Sequence, residues 1–390
     1  MNSQTNRKNI LLMYAITFFQ GIVLYASIST LYRQARGLSL AEYAIIDGFS
    51  YIFQLAFEIP FGMIADRIGY KKTLVLSNGI YLLSKLIFWQ AFGFTPFLLE
   101  RLFFSMAVAG LSGVDVSILY LSCGKTESQK VFSRNSAIGT AGMLTGSLIF
   151  TLFLSHNYEA TAIGTVITYG IAFILSFFIC EVHGDMEKEE KPTLRRLADI
   201  LTATLKDRKF LLFILGEALI SYAVWAARIL LSQQKFITLG MTEQHIGWLE
   251  ILLSCLALSA VCSAALTKKF GFKKFMVICI STVSVSVLVM GLTGNIFLAI
   301  LCSILIEVLY DWIAPLVSDL YSKRVTVSDR ATQLSVYSMV SELFSFGISI
   351  TISAVTARTF AGSFVFCSVM AAVGLMLFLY CYRGVRSLDE

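Results

Sequence analysis

Charged and polar side chains stand at helical spacing inside long apolar runs of this chain. Asp47, Tyr51, Gln54 and Glu58 follow one another at steps of four, three and four, and Arg101, Ser105, Ser112 and Asp115 at steps of four, seven and three. Glu217, Ser221 and Arg228 make a third set, Glu307 and Asp311 a fourth, and Ser335, Ser338, Glu342, Ser345 and Ser349 a fifth. Gln20 and Ser27 add a sixth. Residues at such spacings share one face of a helix. A charge at the centre of a bilayer costs at least about 2.5 kcal/mol, so these groups are expected to face a cavity or a partner rather than lipid. Several helices that each offer one polar face suggest a shared, water-accessible cavity.

That cavity would be acid-rich, with Asp47, Glu58, Asp115, Glu217, Glu250, Glu307, Asp311 and Glu342 against Lys85, Arg101 and Arg228. Burial favours the uncharged form of a carboxyl, and a second carboxyl nearby favours it further. Glu307 and Asp311, one turn apart, are expected to share a proton. This chemistry suits proton coupling, or a cationic substrate that takes the proton's place. Other readings stand beside it. Glu58 and Asp115 lie near span ends, where a structural or loop contact serves equally well. Lys85 and Glu250 are expected toward the outer side, with apolar stems in the membrane and charged heads at its surface. Arg228 either neutralises a carboxylate or binds an anion. Tyr51, Trp225, Tyr310 and Trp312 either line the cavity or pack against helices and lipid.

The elements that must position these groups follow from composition. The chain has 390 residues, 57% hydrophobic and 14% charged, where soluble domains carry about a quarter charged residues. Apolar runs of roughly twenty residues recur from end to end, each long enough for a hydrocarbon core of about 30 Å. Twelve spans are expected near 10–31, 42–65, 73–92, 96–121, 133–155, 160–181, 210–232, 244–267, 274–293, 296–320, 331–354 and 359–382. The first run is too long for a signal-peptide core and is read as a retained span. With only four prolines, most spans are expected to be straight helices.

The net charge of +6 does not point to nucleic acid, because the cations sit in short loops between spans. Of the 31 Lys and Arg residues, 24 fall on one side of the membrane and four (Arg33, Arg36, Lys235, Arg358) on the other, with Lys85, Arg101 and Arg228 inside spans. Cationic loops mark the cytoplasmic side, so both termini are expected in the cytoplasm and the chain in the plasma membrane. Residues 183–209 form one long cytoplasmic loop between two groups of six spans, which sets domains at 1–182 and 210–390. Within it Leu194, Leu197, Leu201 and Leu205 share a helical face, as in a helix lying on the membrane surface.

Residues 62–72 read GMIADRIGYKK. This resembles the signature loop of the major facilitator superfamily, G-x-x-x-D-[RK]-x-G-x-[RK]-[RK], with Gly62, Asp66, Arg67, Gly69, Lys71 and Lys72 in the marked positions. The loop falls after the second span, as it does in that family, and the resemblance extends over the whole chain. It implies an all-α membrane fold of two pseudo-symmetric six-helix bundles, and a cytoplasmic latch that holds the outward-open form. Elementary chemistry gives the loop a similar part. Gly62 and Gly69 allow close approach or unusual backbone angles, Asp66 suits a helix N-terminus, and Arg67 can pair with carboxylates. A degenerate copy, AALTKKFGFKK, occupies 264–274, where Gly271 corresponds to Gly69 and Lys268 replaces Asp66. Repeated halves suit a transporter that binds its substrate between them. Within the family, the drug–proton antiporter branch is the nearest resemblance. The fifth span, however, reads IGTAGMLTG, with Gly139, Gly142 and Gly146 but without that branch's Gly-Pro pair. These glycines are expected to allow close helix packing.

No phosphate-binding loop, zinc-binding H-E-x-x-H or serine nucleophile elbow is present, and the three histidines are scattered. The eight cysteines lack metal-ligand spacing. An enzyme is therefore not expected, nor a cofactor or metal. The expected function is proton-coupled export of a small amphipathic or cationic compound by a monomer in contact with lipid. A nutrient uptake symporter or facilitator is the alternative, and a non-transporting scaffold the third reading.

Overall fold

The computed structural model describes residues 3–123, 128–155, 157–182, 194–324 and 330–385. Among the described residues every regular element is helical. In a hydrocarbon medium the backbone must satisfy its own polar groups, and a helix does this within one segment. In chain order the helices are α1 Ser3–Gly21, α2 Ser29–Ala35, α3 Leu40–Ile68, α4 Tyr70–Gln90, α5 Phe94–Leu111, α6 Val114–Cys123, α7 Ser128–Ile149, α8 Tyr158–Ser176 and α9 Leu194–Lys206. They continue as α10 Arg208–Trp225, α11 Ser232–Thr238, α12 Glu243–Ala257, α13 Ser263–Phe270, α14 Phe272–Leu292, α15 Ile296–Arg324, α16 Arg330–Thr356 and α17 Phe360–Val385.

Among the described residues, eleven helical segments are long and apolar enough to cross a membrane. α4 matches them in length with 21 residues, and Asn78, Lys85 and Gln90 lower its hydropathy. At 1.5 Å per residue it still spans about 30 Å. These segments lie where the twelve spans were expected.

The helices are less straight than a proline count implies. Pro60 and Pro315 lie inside α3 and α15, which continue through them. The interruptions fall elsewhere. The chain leaves helix between α1 and α2, and again at Ser112–Gly113 between α5 and α6. π-helical turns occupy Phe150–Leu154 and Ala226–Leu231, and a 3₁₀ turn occupies Leu258–Cys262. None of these breaks contains a proline, so the expectation of straight spans is corrected. At Gly113 the backbone takes φ 78°, which a residue with a Cβ adopts only at a cost. The fourth span is therefore two helices, and Arg101 and Asp115 do not share one continuous helical face.

The chain forms two compact units. Unit 1 takes in 1–39, 49–187 and 242–251; unit 2 takes in 40–48, 188–241 and 252–390. In unit 1 the core gathers Met13 and Ile16 of α1, Leu74 of α4, Ile118 and Leu119 of α6, Val131 of α7 and Ala172 of α8. α1 and α7 approach closely along glycines. A Cβ on Gly21 would lie 2.6 Å from the Gly139 carbonyl oxygen, and one on Gly146 would lie 3.2 Å from Val23 N. The expected close packing along Gly139, Gly142 and Gly146 is thus present. Small residues suit such contacts because apolar lipid supplies no hydrophobic drive, so helices associate through packing and hydrogen bonds.

In unit 2 the core gathers Phe210, Phe213 and Ile214 of α10, Phe275, Met276 and Ile280 of α14, Ile313 of α15, Tyr337 and Val340 of α16 and Phe378 of α17. Gly216 of α10 and Gly374 of α17 make the corresponding close crossing, with 2.7 Å from a Gly374 Cβ to the Gly216 carbonyl. The linker segment 183–193 lies outside the described residues. The expected amphipathic helix is present as α9, and its Leu201 packs against the core of unit 2. Leu205 is half exposed, so part of the apolar face remains uncovered by protein.

Candidate functional site

Unit 2 brings together polar groups from three helices. α10 carries Glu217 and Ser221, and the π-helical turn that follows it carries Arg228. An extra residue in one turn interrupts the ladder of backbone bonds, a distortion frequent at functional sites. Arg228 forms an ion pair with Glu307 of α15. The Glu307 side chain is 7% exposed and that of Arg228 28%. Asp311 lies one turn beyond Glu307, within electrostatic reach of Arg228. Glu307 is thus engaged by a guanidinium, with Asp311 also within electrostatic reach of it.

Glu217 is held by hydroxyls on both oxygens. Ser221 Oγ donates to Oε1 at 2.5 Å, and Ser341 Oγ of α16 donates to Oε2 at 3.0 Å. Tyr310 of α15 donates from its hydroxyl to Ser221 Oγ at 3.1 Å. A chain of hydrogen bonds therefore runs from α15 through α10 to α16. Tyr310 also lies within electrostatic reach of Glu217, Arg228 and Asp311, which joins the two halves of the cluster. Trp312 donates from its indole N–H to Ser259 Oγ at 3.0 Å. The arrangement sets two carboxyls, Glu307 and Asp311, by one guanidinium, and links them through Tyr310 and Ser221 to a third, Glu217. It offers hydrogen-bond acceptors and net negative charge to a bound group.

Other expected site residues are placed differently. Asp47 is buried and belongs to unit 2 with the first turns of α3, whereas Gln54 and Glu58 belong to unit 1. Glu58 is exposed and Gln54 half-buried. The polar stripe of α3 is therefore divided between the units. Arg101 and Asp115 lie in unit 1; the Arg101 guanidinium sits 5.1 Å from the Phe104 ring centre. Asp115 Oδ1 is buried without a hydrogen-bond partner. Glu342 is half-buried in unit 2 on α16. Lys85 corrects the expectation of a surface-seeking side chain. Only 4% exposed, it donates to Tyr25 Oη at 2.9 Å inside a ring of aromatics.

The signature loop takes shape around Gly69, which begins α4 with φ 91°. Its counterpart Gly271 begins α14 with φ 79°, so the repeat seen in sequence is repeated in backbone geometry. Glu181 accepts from Lys71 N at 3.2 Å, placing a carboxylate at the N-terminus of α4, where the helix dipole favours it. The sequence reading gave that place to Asp66, whose side chain lies outside the described residues. Arg67 and Lys72 are exposed and Lys71 half-buried. Gly62 is exposed, with nothing among the described residues within 4 Å of the position a Cβ would take, so none of them makes the expected close approach there.

Sequence reasoning missed Glu181, Glu100 and the serine clamp on Glu217. Ser341 stands one place before Glu342, and the helical stripe drawn through Glu342 passed it by. Glu100, next to Arg101, is 2% exposed and was not among the buried acids expected from sequence.

None of the curated proteins searched matches the chain. Solved structures do share its fold. A mutant form of the nucleoside transporter NupG superposes with a TM-score of 0.82 at 15% identity, covering 96% of this chain and 100% of that one. The D-xylose-proton symporter gives 0.69 at 15%, covering 98% of each. A bacterial homologue of the human lysosomal transporter Spinster gives 0.71 at 14%, covering 99% of this chain and 97% of that one. The sequence profile of the Major Facilitator Superfamily matches residues 10–234. With that match over more than half its length, and with helices, glycine-led signature loop and repeat as described, the chain belongs to the Major Facilitator Superfamily.

Proposed function

We propose that this protein is a secondary transporter that exports a small amphipathic or cationic compound in exchange for protons, by alternating access of its two halves. The observation that carries this reading is the excess of acid in unit 2, where Glu307 and Asp311 stand by one Arg228 and Tyr310 connects them with Glu217. After the guanidinium takes Glu307, a proton or a cationic substrate balances what remains. Because Asp311 lies outside that ion pair, it is the carboxyl we assign to proton exchange. Glu217, Tyr310 and Arg228 are assigned to substrate. The signature loop from Gly62 to Lys72 serves as the latch, with Arg67, Lys71 and Lys72 as its cations and Asp66 as its acid. The charge asymmetry supports both termini in the cytoplasm, and we take the transporter to lie in the plasma membrane and to act as a monomer.

The test begins with a thermal-shift screen of organic cations and neutral amphipaths at several pH values, followed by transport of any hit in proteoliposomes. An inward proton gradient should drive the hit out of the cytoplasmic compartment, and Asp311→Asn should abolish that drive while leaving counterflow. Unchanged proton-driven transport in both Asp311→Asn and Glu307→Gln would remove the cluster from the coupling mechanism. The missing Gly-Pro pair in the fifth span favours a second reading, an uptake symporter. It requires accumulation of substrate on the side to which protons flow.

A further inference from the structure

The two halves of the chain repeat at a constant offset. Helices that begin at Tyr70, Phe94, Ser128 and Tyr158 have counterparts that begin at Phe272, Ile296, Arg330 and Phe360, each 202 residues later. At that offset Gly69 meets Gly271, and each opens a helix of 21 residues with positive φ, 91° and 79°. What surrounds the two glycines differs. In unit 1 the turn holds a carboxylate. Glu181 Oε1 accepts from Lys71 N at 3.2 Å, and Glu181 Oε2 lies 3.0 Å from the position a Gly69 Cβ would take. In unit 2 no described residue comes within 4 Å of the corresponding point on Gly271, and the first turn of α14 carries no acid. The sequence differs in the same sense. Lys268 stands at the place of Asp66, and Arg383 at the place of Glu181.

Lys268 and Lys269 lie in the last turn of α13, and Lys273 and Lys274 in the first turn of α14. All four are exposed. Among the described residues, no ion pair engages Lys268, Lys269 or Lys274. Cations that only set topology could stand anywhere in the loop. Here cations replace both acids of the counterpart turn, so an outside anion fits the place that Glu181 fills in unit 1. The dipole of α14 favours negative charge there, and the lysines repel one another without it. Phe270, 46% exposed, stands between the two lysine pairs, with the Lys269 amine 5.8 Å from its ring centre. The turn joins two membrane spans, Glu243–Cys262 and Phe272–Leu292, on the side that the charge count assigns to the cytoplasm. An exposed ring beside lysines at the membrane edge suits a lipid, whose apolar part meets the ring while its phosphate meets the amines. A soluble anion would make no use of the ring.

We propose that the α13–α14 turn of unit 2 binds the headgroup of an anionic phospholipid. Its phosphodiester lies at Gly271 and the start of α14, held by Lys268, Lys269 and Lys274, with Phe270 against the lipid. The phosphate does for unit 2 what the Glu181 carboxylate does for unit 1. The site goes beyond the transport reading above and does not depend on what is carried.

The test is native mass spectrometry of the purified full-length protein in neutral detergent, titrated with phosphatidylglycerol, phosphatidylcholine or inorganic phosphate. The first phosphatidylglycerol should bind more tightly than any phosphatidylcholine. A lysine near an anionic lipid contributes about fivefold in affinity, so Lys268→Gln with Lys269→Gln should weaken that binding by about 25-fold. Lys268→Asp, which restores the acid of the unit 1 turn, should weaken it more than Lys268→Gln. Arg208→Gln with Lys209→Gln removes another exposed cationic pair of unit 2 and should leave it unchanged. Equal losses in the two double variants would overturn the proposal, because general charge attraction would then explain the binding. Phosphatidylglycerol held no better than phosphatidylcholine would overturn it too. Inorganic phosphate bound as tightly as the lipid would do the same, by making the ligand a soluble anion. Should the double variant at Lys268 and Lys269 fail to fold, Lys274→Gln decides alone: a loss of about fivefold is expected, and no loss refutes the site.

Discussion

The ion pair of Arg228 and Glu307 gives a prediction whose size follows from its burial. Arg228→Met keeps much of the stem volume and removes the charge. Glu307, 7% exposed, is then left without its guanidinium among poorly solvated groups. Breaking a fully buried pair in this way costs about 3–5 kcal/mol. The guanidinium is 28% exposed, so solvent already screens part of the attraction and a cost of about 2–4 kcal/mol is expected. An unfolding entropy of about 2.1 cal/mol/K per residue, taken over 390 residues, comes to about 0.8 kcal/mol/K. The melting midpoint should therefore fall by about 2–5 °C, and further if helices persist in detergent and reduce that entropy. Glu307→Gln should cost less, about 1 kcal/mol, because Asp311 remains within reach of Arg228. The double variant removes both charges and should recover most of the loss. The assay is a set of four melting curves in one detergent, read as a double-mutant cycle. A double variant that melts as low as Arg228→Met would refute the reasoning, since charge compensation would then contribute nothing.

Three further outcomes follow from the same geometry. Gly271→Ala meets open space at φ 79° and should cost about 1–2 kcal/mol from backbone strain alone; Gly69→Ala should cost more, because its Cβ also lies 3.0 Å from Glu181 Oε2, and paired melting curves give the difference. Glu181→Gln should weaken the start of α4 by about 0.5–1 kcal/mol, and that loss should shrink in high salt if the carboxylate acts by charge. Gly62→Ala, in an exposed helical turn with nothing near it, should be neutral or stabilising by up to about 1 kcal/mol, whereas Gly142→Leu, at the α1–α7 crossing, should prevent assembly of monodisperse protein on size exclusion.

Much of the fold was legible because hydropathy over twenty residues is a strong signal and lipid permits few backbone solutions. The repeat was legible because Gly69 and Gly271 do the same conformational work in both halves. The breaks were not, because no proline marks them. Gly113 carries its turn within a run that reads as one apolar helix, and the π-helical turn at Ala226–Leu231 has no distinctive composition at all. That missing information also blurred the site. Arg228 and Glu307 were both recognised as buried, but their pairing depends on where a distorted helix points its side chains. Glu217 was recognised too, whereas its clamp by Ser221 and Ser341 joins residues 120 positions apart, which spacing alone does not connect. Lys85 was taken for a surface-seeking cation, because aromatic rings scattered from Tyr25 to Tyr169 give no sign in sequence that they converge on one amine.

The wide turn at Ala226–Leu231 also fixes what the chain tolerates in length. Each residue of an ordinary helix turns the chain by about 100°, and a turn holding one residue too many takes up that rotation within itself. Deleting a single amino acid there would let the turn relax to regular helix with Ser232–Thr238 facing as before, while the residues inside the turn, Arg228 among them, take new directions. Protein shortened in this way should still insert and still show its full helical content, yet lose the register between Arg228 and Glu307, so that indels in this one turn separate folding from activity where point changes do not.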